Sequence, residues 1–410
     1  MRKILFISLL ILSFKAIPYA QEFCGFDKNT RDFFSGEKPY RDYLHKLIRN
    51  YHSGEGRVSA ISLRDEIVIP LVFHIFNKSS SLPGERIDEA DIYRQVDLLN
   101  KAFAGTNWDR KNIPELFRKY MGSSTVRFCI GSRTVDGKMI KGIEFYETGE
   151  DYFADKLIQT DNKRHEIKHK EYGGADAWDS EKYINIWIGE TRRLRGQSTF
   201  PGIPARYKDE EGIILNIKTV KGDDLYSKVI IHEMGHYLGL LHIWGEKGCD
   251  NDDGIEDTPL QDYYYTGCPE GEKISCGSAD MYVNYMDYTD DRCSLMFTAG
   301  QVEAMMNILA TYRKGLLEGN DYCYSASGSG ADFGISISTN GGNIVFTREK
   351  LINEKVEISV FDILGHKIAR NIMYPYQSLV EIPAYNLSRG VYLIIMQLGK
   401  KRKTVKLALF

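Results

Sequence analysis

The stretch that most constrains this chain is "HEMGHYLGLLH", residues 232–242. Three of the nine histidines fall inside it, with one glutamate and two glycines between them. On a helix, His232 and His236 stand one turn apart on the same face, so both imidazoles can reach one ion. Gly239 permits a sharp exit from helical geometry, which returns His242 as a third ligand. Three protein ligands leave a fourth position open, as in catalytic rather than structural zinc sites. Glu233, one residue past the first ligand, is then free to act on a water as general base. At this chain's composition the five fixed positions co-occur by chance on the order of 10⁻⁵ per chain.

Downstream, "NYMDYTDD" (residues 284–291) offers Met286 as an apolar floor beneath such a site. Tyr288, two residues on, is placed to donate its hydroxyl to a developing oxyanion.

The chain begins "MRKILFISLLILSFKAIPYAQEF", a basic start and a short apolar run, which reads as a signal peptide over residues 1–20. No later segment is apolar enough to suggest a membrane span. Of seven cysteines, Cys249, Cys268, Cys276 and Cys293 crowd together and read as two disulfides with the pairing open. Cys129 alternates with apolar neighbours in "STVRFCIG" and reads as a buried structural thiol. A net charge of −3 gives no bulk field that would attract nucleic acid.

Strands are expected at "EIVIPLVFHIF", "STVRFCIG", "YINIWIGE" and "EGIILNI", and a helix capped by Asp88 at "RIDEADIYRQVDLLNKAF". A second helix, from about Asp224, carries the histidines. Together they predict an α+β (α/β) catalytic domain. The Gly/Ser-rich "SASGSGADFG" then marks a linker. Beyond it, short strands divided by turn signals predict a separate all-β sandwich that ends in a basic run. The divisions are signal peptide 1–20, propeptide 21–57, catalytic domain 58–324, linker 325–331 and C-terminal sandwich 332–410.

On "HEMGHYLGLLHIWG", "DDGIEDTP", "VNYMDYTDDRC" and "MFTAGQ", the chain resembles the pappalysin family of metzincin metallopeptidases over about residues 62–315. The resemblance implies a metzincin-type fold with zinc on His232, His236 and His242. It implies Glu233 as base, Met286 in a Met-turn and Tyr288 as transition-state partner. It also implies disulfides Cys249–Cys276 and Cys268–Cys293, and calcium on the loop bearing Asp253, Asp257 and Thr258. The C-terminal module, with "VEISVFDILGHKI", "LSRGVYLI" and "KTVKLAL", resembles type IX secretion sorting domains, which implies export to the cell surface or beyond.

Cys24 lies in "QEFCGFDKN", just past the signal peptide. A thiolate ligates zinc well, and zymogens of the family are held latent in this way, so Cys24 is expected at the fourth metal position. The resemblance also implies cleavage before basic residues, which needs a carboxylate in the pocket, with Asp290 and Asp291 as candidates. Gly56–Arg57 would then be an autolytic site for leader removal. The expectation is a secreted zinc endopeptidase made as a zymogen and acting on protein or peptide substrates. Its competitors are a surface adhesin with a structural metal, and a metallohydrolase of non-peptide amides.

Overall fold

The computed structural model describes residues 24–25, 66–132, 141–221, 227–245, 247–323, 335–340, 343–348, 354–374, 377, 379–384 and 387–409. The segments expected to be a signal peptide, most of a propeptide with Gly56–Arg57, and a linker lie outside the described residues.

The first strand organises the catalytic domain. β1 (Ile67–Lys78) is buried along all but its last residue. Such a near-continuous apolar run suits a parallel strand covered on both faces. On one side it pairs in parallel with β2 (Val126–Ile130) and then β3 (Ile143–Thr148). On its other side it pairs in parallel with β6 (Ile184–Gly189), which leads to β8 (Ile213–Asn216). A short strand, β7 (Gly196–Ser198), closes that edge antiparallel to β8. A small hairpin of β4 (Leu157–Ile158) and β5 (Asp161–His165) stands apart from the main sheet.

One face of the sheet packs against helices. α1 (Glu89–Phe103) begins at Asp88, whose side chain accepts from the Asp91 amide in a reciprocal cap. Its Ile92, Val96, Leu99 and Phe103 are buried against Leu71, Phe73 and Phe128. After the short α2 (Glu115–Arg118) and α3 (Ile217–Lys221) come α4 (Val229–Tyr237), which carries the histidines, and α5 (Ala299–Thr311). The other face holds a smaller cluster around Phe76, Phe153, Ile167 and Trp187.

One cysteine reading needs correcting. Cys129 is not a thiol; it is joined to Cys323, which ties β2 to the segment after α5. The partner lies 194 residues away in sequence, so strand alternation showed the burial but not the bond. Cys249–Cys276 and Cys268–Cys293 brace the loop between α4 and α5.

The C-terminal module has two antiparallel sheets. One contains β9 (Ile335–Asn340), β10 (Asn343–Arg348) and β13 (Leu379–Pro383). The other contains β11 (Val356–Phe361), β12 (Lys367–Met373), β14 (Gly390–Leu398) and β15 (Lys401–Leu409). In β11, Val356, Ile358 and Val360 are fully buried and their neighbours are not, the alternation of a sheet covered on one face. They meet Ile344, Phe346, Ile394 and Met396 in a core of their own.

Candidate metal centre

α4 starts at Val229, later than the expected Asp224; residues 222–226 lie outside the described set. Its first turn is fixed by a distant carboxylate. Asp291 Oδ2 accepts from the Lys228 amide at 2.8 Å and from the Ser227 hydroxyl at 3.0 Å. An anion there satisfies free amides and opposes the positive end of the helix. Lys228 Nζ reaches Asp109 at 2.6 Å and the carbonyls of Asp291 and Ser294, so this end of α4 is bolted to the loop after Met286.

At the other end Gly239 adopts φ +91°, in the left-handed region that favours glycine. The turn carries His242 back beneath the helix. His232 Nε2 and His242 Nε2 each lie 3.1 Å from His236 Nε2. His232 Nδ1 donates to the Tyr285 carbonyl and His236 Nδ1 to the Leu240 carbonyl, each at 2.7 Å. Those two bonds fix the tautomers and leave each Nε2 with a lone pair. Lone pairs turned on one another in a buried site repel unless a cation lies between them. Zinc–nitrogen bonds of about 2.0–2.1 Å in a tetrahedron separate the nitrogens by roughly 3.3 Å, close to the observed spacing. Burial pushes the His232 pKa down to about 4 and those of His236 and His242 well below the usual range, so all three rings are neutral, as ligands must be. Cys24 Sγ joins them: the four ligand atoms lie within 4.8 Å of one another.

Glu233 is fully buried, and neither carboxylate oxygen has a hydrogen-bond partner. Burial raises its pKa to about 8, and the nearby Cys24 side chain partly offsets this without reaching hydrogen-bond geometry. Met286 is fully buried below α4, and a Cβ built on Gly235 would come within 2.5 Å of its sulfur. The helix can rest on Met286 at this height only because residue 235 has no side chain. The Tyr288 ring lies 4.9 Å from that of His242 and 5.7 Å from that of His232, within an aromatic wall formed with Trp244 and Tyr264.

A recess beside His232 and Glu233 is lined by Lys228, Tyr285, Asp287, Thr289, Asp291 and Ser294. Asp291 faces it, whereas Asp290 does not line it and stands 3.8 Å from Arg292. Asp287 was not expected there. Its two oxygens accept from Gln261, the Tyr265 amide and the Tyr288 amide, while burial raises its pKa to about 7.

Asp253, Asp257 and Thr258 fall on one turn of the loop after α4. The Thr258 hydroxyl donates to Asp253 Oδ1 at 2.8 Å, and Asp257 Oδ2 accepts from the Gly300 amide. Asp253 Oδ2 and Asp257 Oδ1 are buried with no hydrogen-bond partner.

Other contributors escaped the sequence reading: Gly235, Asp287 and Gly196, where a Cβ would strike the Glu233 side chain at 2.6 Å. A glycine in the middle of a helix, as Gly235 is, marks a close approach and could have been flagged.

Comparison with known proteins agrees with this geometry. Residues 168–310 match the peptidase family M43 model, described as pregnancy-associated plasma protein-A. Residues 335–409 match the secretion system C-terminal sorting domain. An extracellular metalloprotease of Sordaria macrospora is 28% identical over 290 residues, covering 68% of this chain and 87% of the relative. One from Arthroderma benhamiae is 24% identical over 293 residues, covering 68% and 85%. Mature mirolysin of Tannerella forsythia, in complex with a cleaved peptide, superposes with a TM-score of 0.58 at 30% identity, over 63% of this chain and 98% of that one. A promirolysin mutant from the same organism gives a TM-score of 0.63 at 28% identity, over 73% and 99%.

Proposed function

This chain belongs to the pappalysin (M43) family of metalloendopeptidases and carries a type IX secretion sorting domain, and from that premise we propose that it is a zinc endopeptidase exported as a zymogen. The observation that carries the reading is the convergence of three neutral imidazole nitrogens in one buried site.

His232, His236 and His242 would hold the ion. Bound zinc would polarise the peptide carbonyl and bring the pKa of a water towards about 7. Glu233 takes a proton from the attacking water and delivers it to the leaving amine. Burial alone would leave Glu233 protonated, so the base role requires a cation on the neighbouring imidazoles, whose charge would favour the carboxylate. Tyr288 donates to the oxyanion from beside His232 and His242. Met286 holds the ligand helix at a fixed height. In the zymogen, Cys24 would occupy the fourth ligand position and exclude water.

We also propose a preference for Arg or Lys after the scissile bond, with Asp291 as its candidate carboxylate. The two unpartnered oxygens of Asp253 and Asp257 support calcium on that turn with Thr258. We divide the chain as signal peptide 1–20, propeptide 21–57, catalytic domain 58–324, linker 325–331 and sorting domain 332–410. Its substrates are proteins or peptides, and its sorting domain engages the secretion machinery.

The test is cleavage of casein or gelatin by protein freed of its leader, alongside Glu233→Ala and a zinc determination. One zinc per chain with activity lost in the variant is expected. Equal activity in the variant, or zinc near zero, sinks the assignment.

A further inference from the structure

The edge strand β7 carries a side chain that the catalytic reading does not use. Cys24 bridges Gly196 in parallel, and the Gly25 amide donates to the Gly196 carbonyl at 3.0 Å. Cys24 and Gly25 therefore lie alongside β7, and the next residue of that strand is Gln197. A Cβ placed on Gly25 would lie 2.8 Å from Gln197 Oε1, 3.1 Å from Gln197 Cγ and 2.8 Å from Leu194 Cδ1. Contacts below 3.0 Å force something to move. The Leu194 methyl is the end of a flexible side chain and can turn aside.

Gln197 cannot move so cheaply. It is buried, and its Nε2 lies 3.2 Å from His165 Nε2. His165 is fixed from behind: its Nδ1 donates to Glu210 Oε2 at 3.0 Å and its backbone amide to Glu210 Oε1 at 3.1 Å. With Nδ1 donating, Nε2 accepts from the Gln197 amide. Glu210 is itself fully buried, with His169 Nε2 at 2.7 Å and the Lys168 ammonium 3.7 Å away. Swinging Gln197 away would break a bond to a ring that has no room to follow it.

We propose that Gln197, clamped by His165 and Glu210, gauges the leader residue after Cys24, admitting the Cys24–Gly25 pair because Gly25 has no side chain. Gly25 thereby shares with Cys24 the task of keeping the zymogen shut. The proposal rests on the reading of Cys24 as the fourth ligand, and its partner surface is the chain's own leader.

The test uses the full-length zymogen and a fluorogenic peptide. Activity is measured before and after limited proteolytic removal of the leader. Each variant's residual activity is divided by its own leader-free activity, which cancels any effect on the mature cleft. Gly25→Ala is expected to raise that ratio at least tenfold. Adding Gln197→Ala to Gly25→Ala should return it towards the wild-type value by restoring the missing space. Gly25→Ala as latent as wild type, or a double variant as leaky as Gly25→Ala, overturns the proposal. Cys24→Ala is run in parallel: if it stays latent, the thiol reading itself fails, whereas its activation beside a latent Gly25→Ala removes only the gauge.

Discussion

Gly235→Ala is the sharpest probe of how the ligand helix is seated. In an ordinary helix this change gains about 1 kcal/mol, because alanine is the better helix former. Here the new methyl would lie 2.5 Å from Met286 Sδ, 3.3 Å from Met286 Cε and 3.5 Å from Leu240 Cδ1. Met286 is fully buried, so its sulfur has no solvent to retreat into. Overpacking of a tight core costs about 1–3 kcal/mol, and an overlap this close belongs at the upper end. Set against the propensity gain, the net loss is about 2 kcal/mol. For a catalytic unit of this size that corresponds to a Tm lower by roughly 4–8 °C. Differential scanning calorimetry on wild type, Gly235→Ala, Met286→Ala and the double variant measures both the loss and its origin. The double variant should be less destabilised than the sum of the singles, since removing Met286 makes room for the methyl. A Gly235→Ala protein that is more stable than wild type, or a strictly additive cycle, would refute the seating of α4 on Met286.

Replacing Asp291 with Asn removes the anion at the start of α4 and should lower stability by about 1 kcal/mol, read as a lower urea midpoint at an unchanged slope. Asp287 gives a pH test. Burial holds its folded carboxyl up near 7 while the unfolded value is near 4, so the native state binds the extra proton. Its contribution is full below about pH 4 and lost as pH rises through about 7; Asp287→Asn should flatten the stability profile across that window, and an unchanged profile would count against it. Removing the Cys129–Cys323 bond as a double alanine variant opens a loop of 194 residues and should cost on the order of 5 kcal/mol in denaturant unfolding. Asp253→Asn should abolish any rise in Tm that added calcium produces in the wild type.

Local signals carried much of the fold. α1 was legible because Asp88 and Asp91 cap each other within four residues and Ile92, Val96 and Leu99 keep helical spacing. β1 was legible from its near-continuous apolar run. Gly239 could be read because a single residue makes the turn. What stayed hidden depends on chain segments far apart in sequence. The start of α4 is set by Asp291 from the loop beyond Met286, so helix propensity alone placed it several residues early. The bond from Cys129 to Cys323 spans most of the catalytic domain. β3 went unread because its half-exposed "IEFYET" is too polar for a buried strand and too short for a firm alternation. The three histidines, Glu233 and Met286 could be picked out in sequence. Of the residues that hold them in place, Gly235 was open to a reading as a mid-helix glycine and Asp291 was picked out for a pocket rather than for the start of α4, while Gly196 matters only through what packs against it.

Anomalous diffraction at the zinc edge, on crystals of the full-length chain, tests the central claim most directly. One peak is predicted at about 2.0–2.1 Å from the Nε2 atoms of His232, His236 and His242 and about 2.3 Å from Cys24 Sγ. A peak elsewhere, or no peak from zinc-replete protein, would contradict the account.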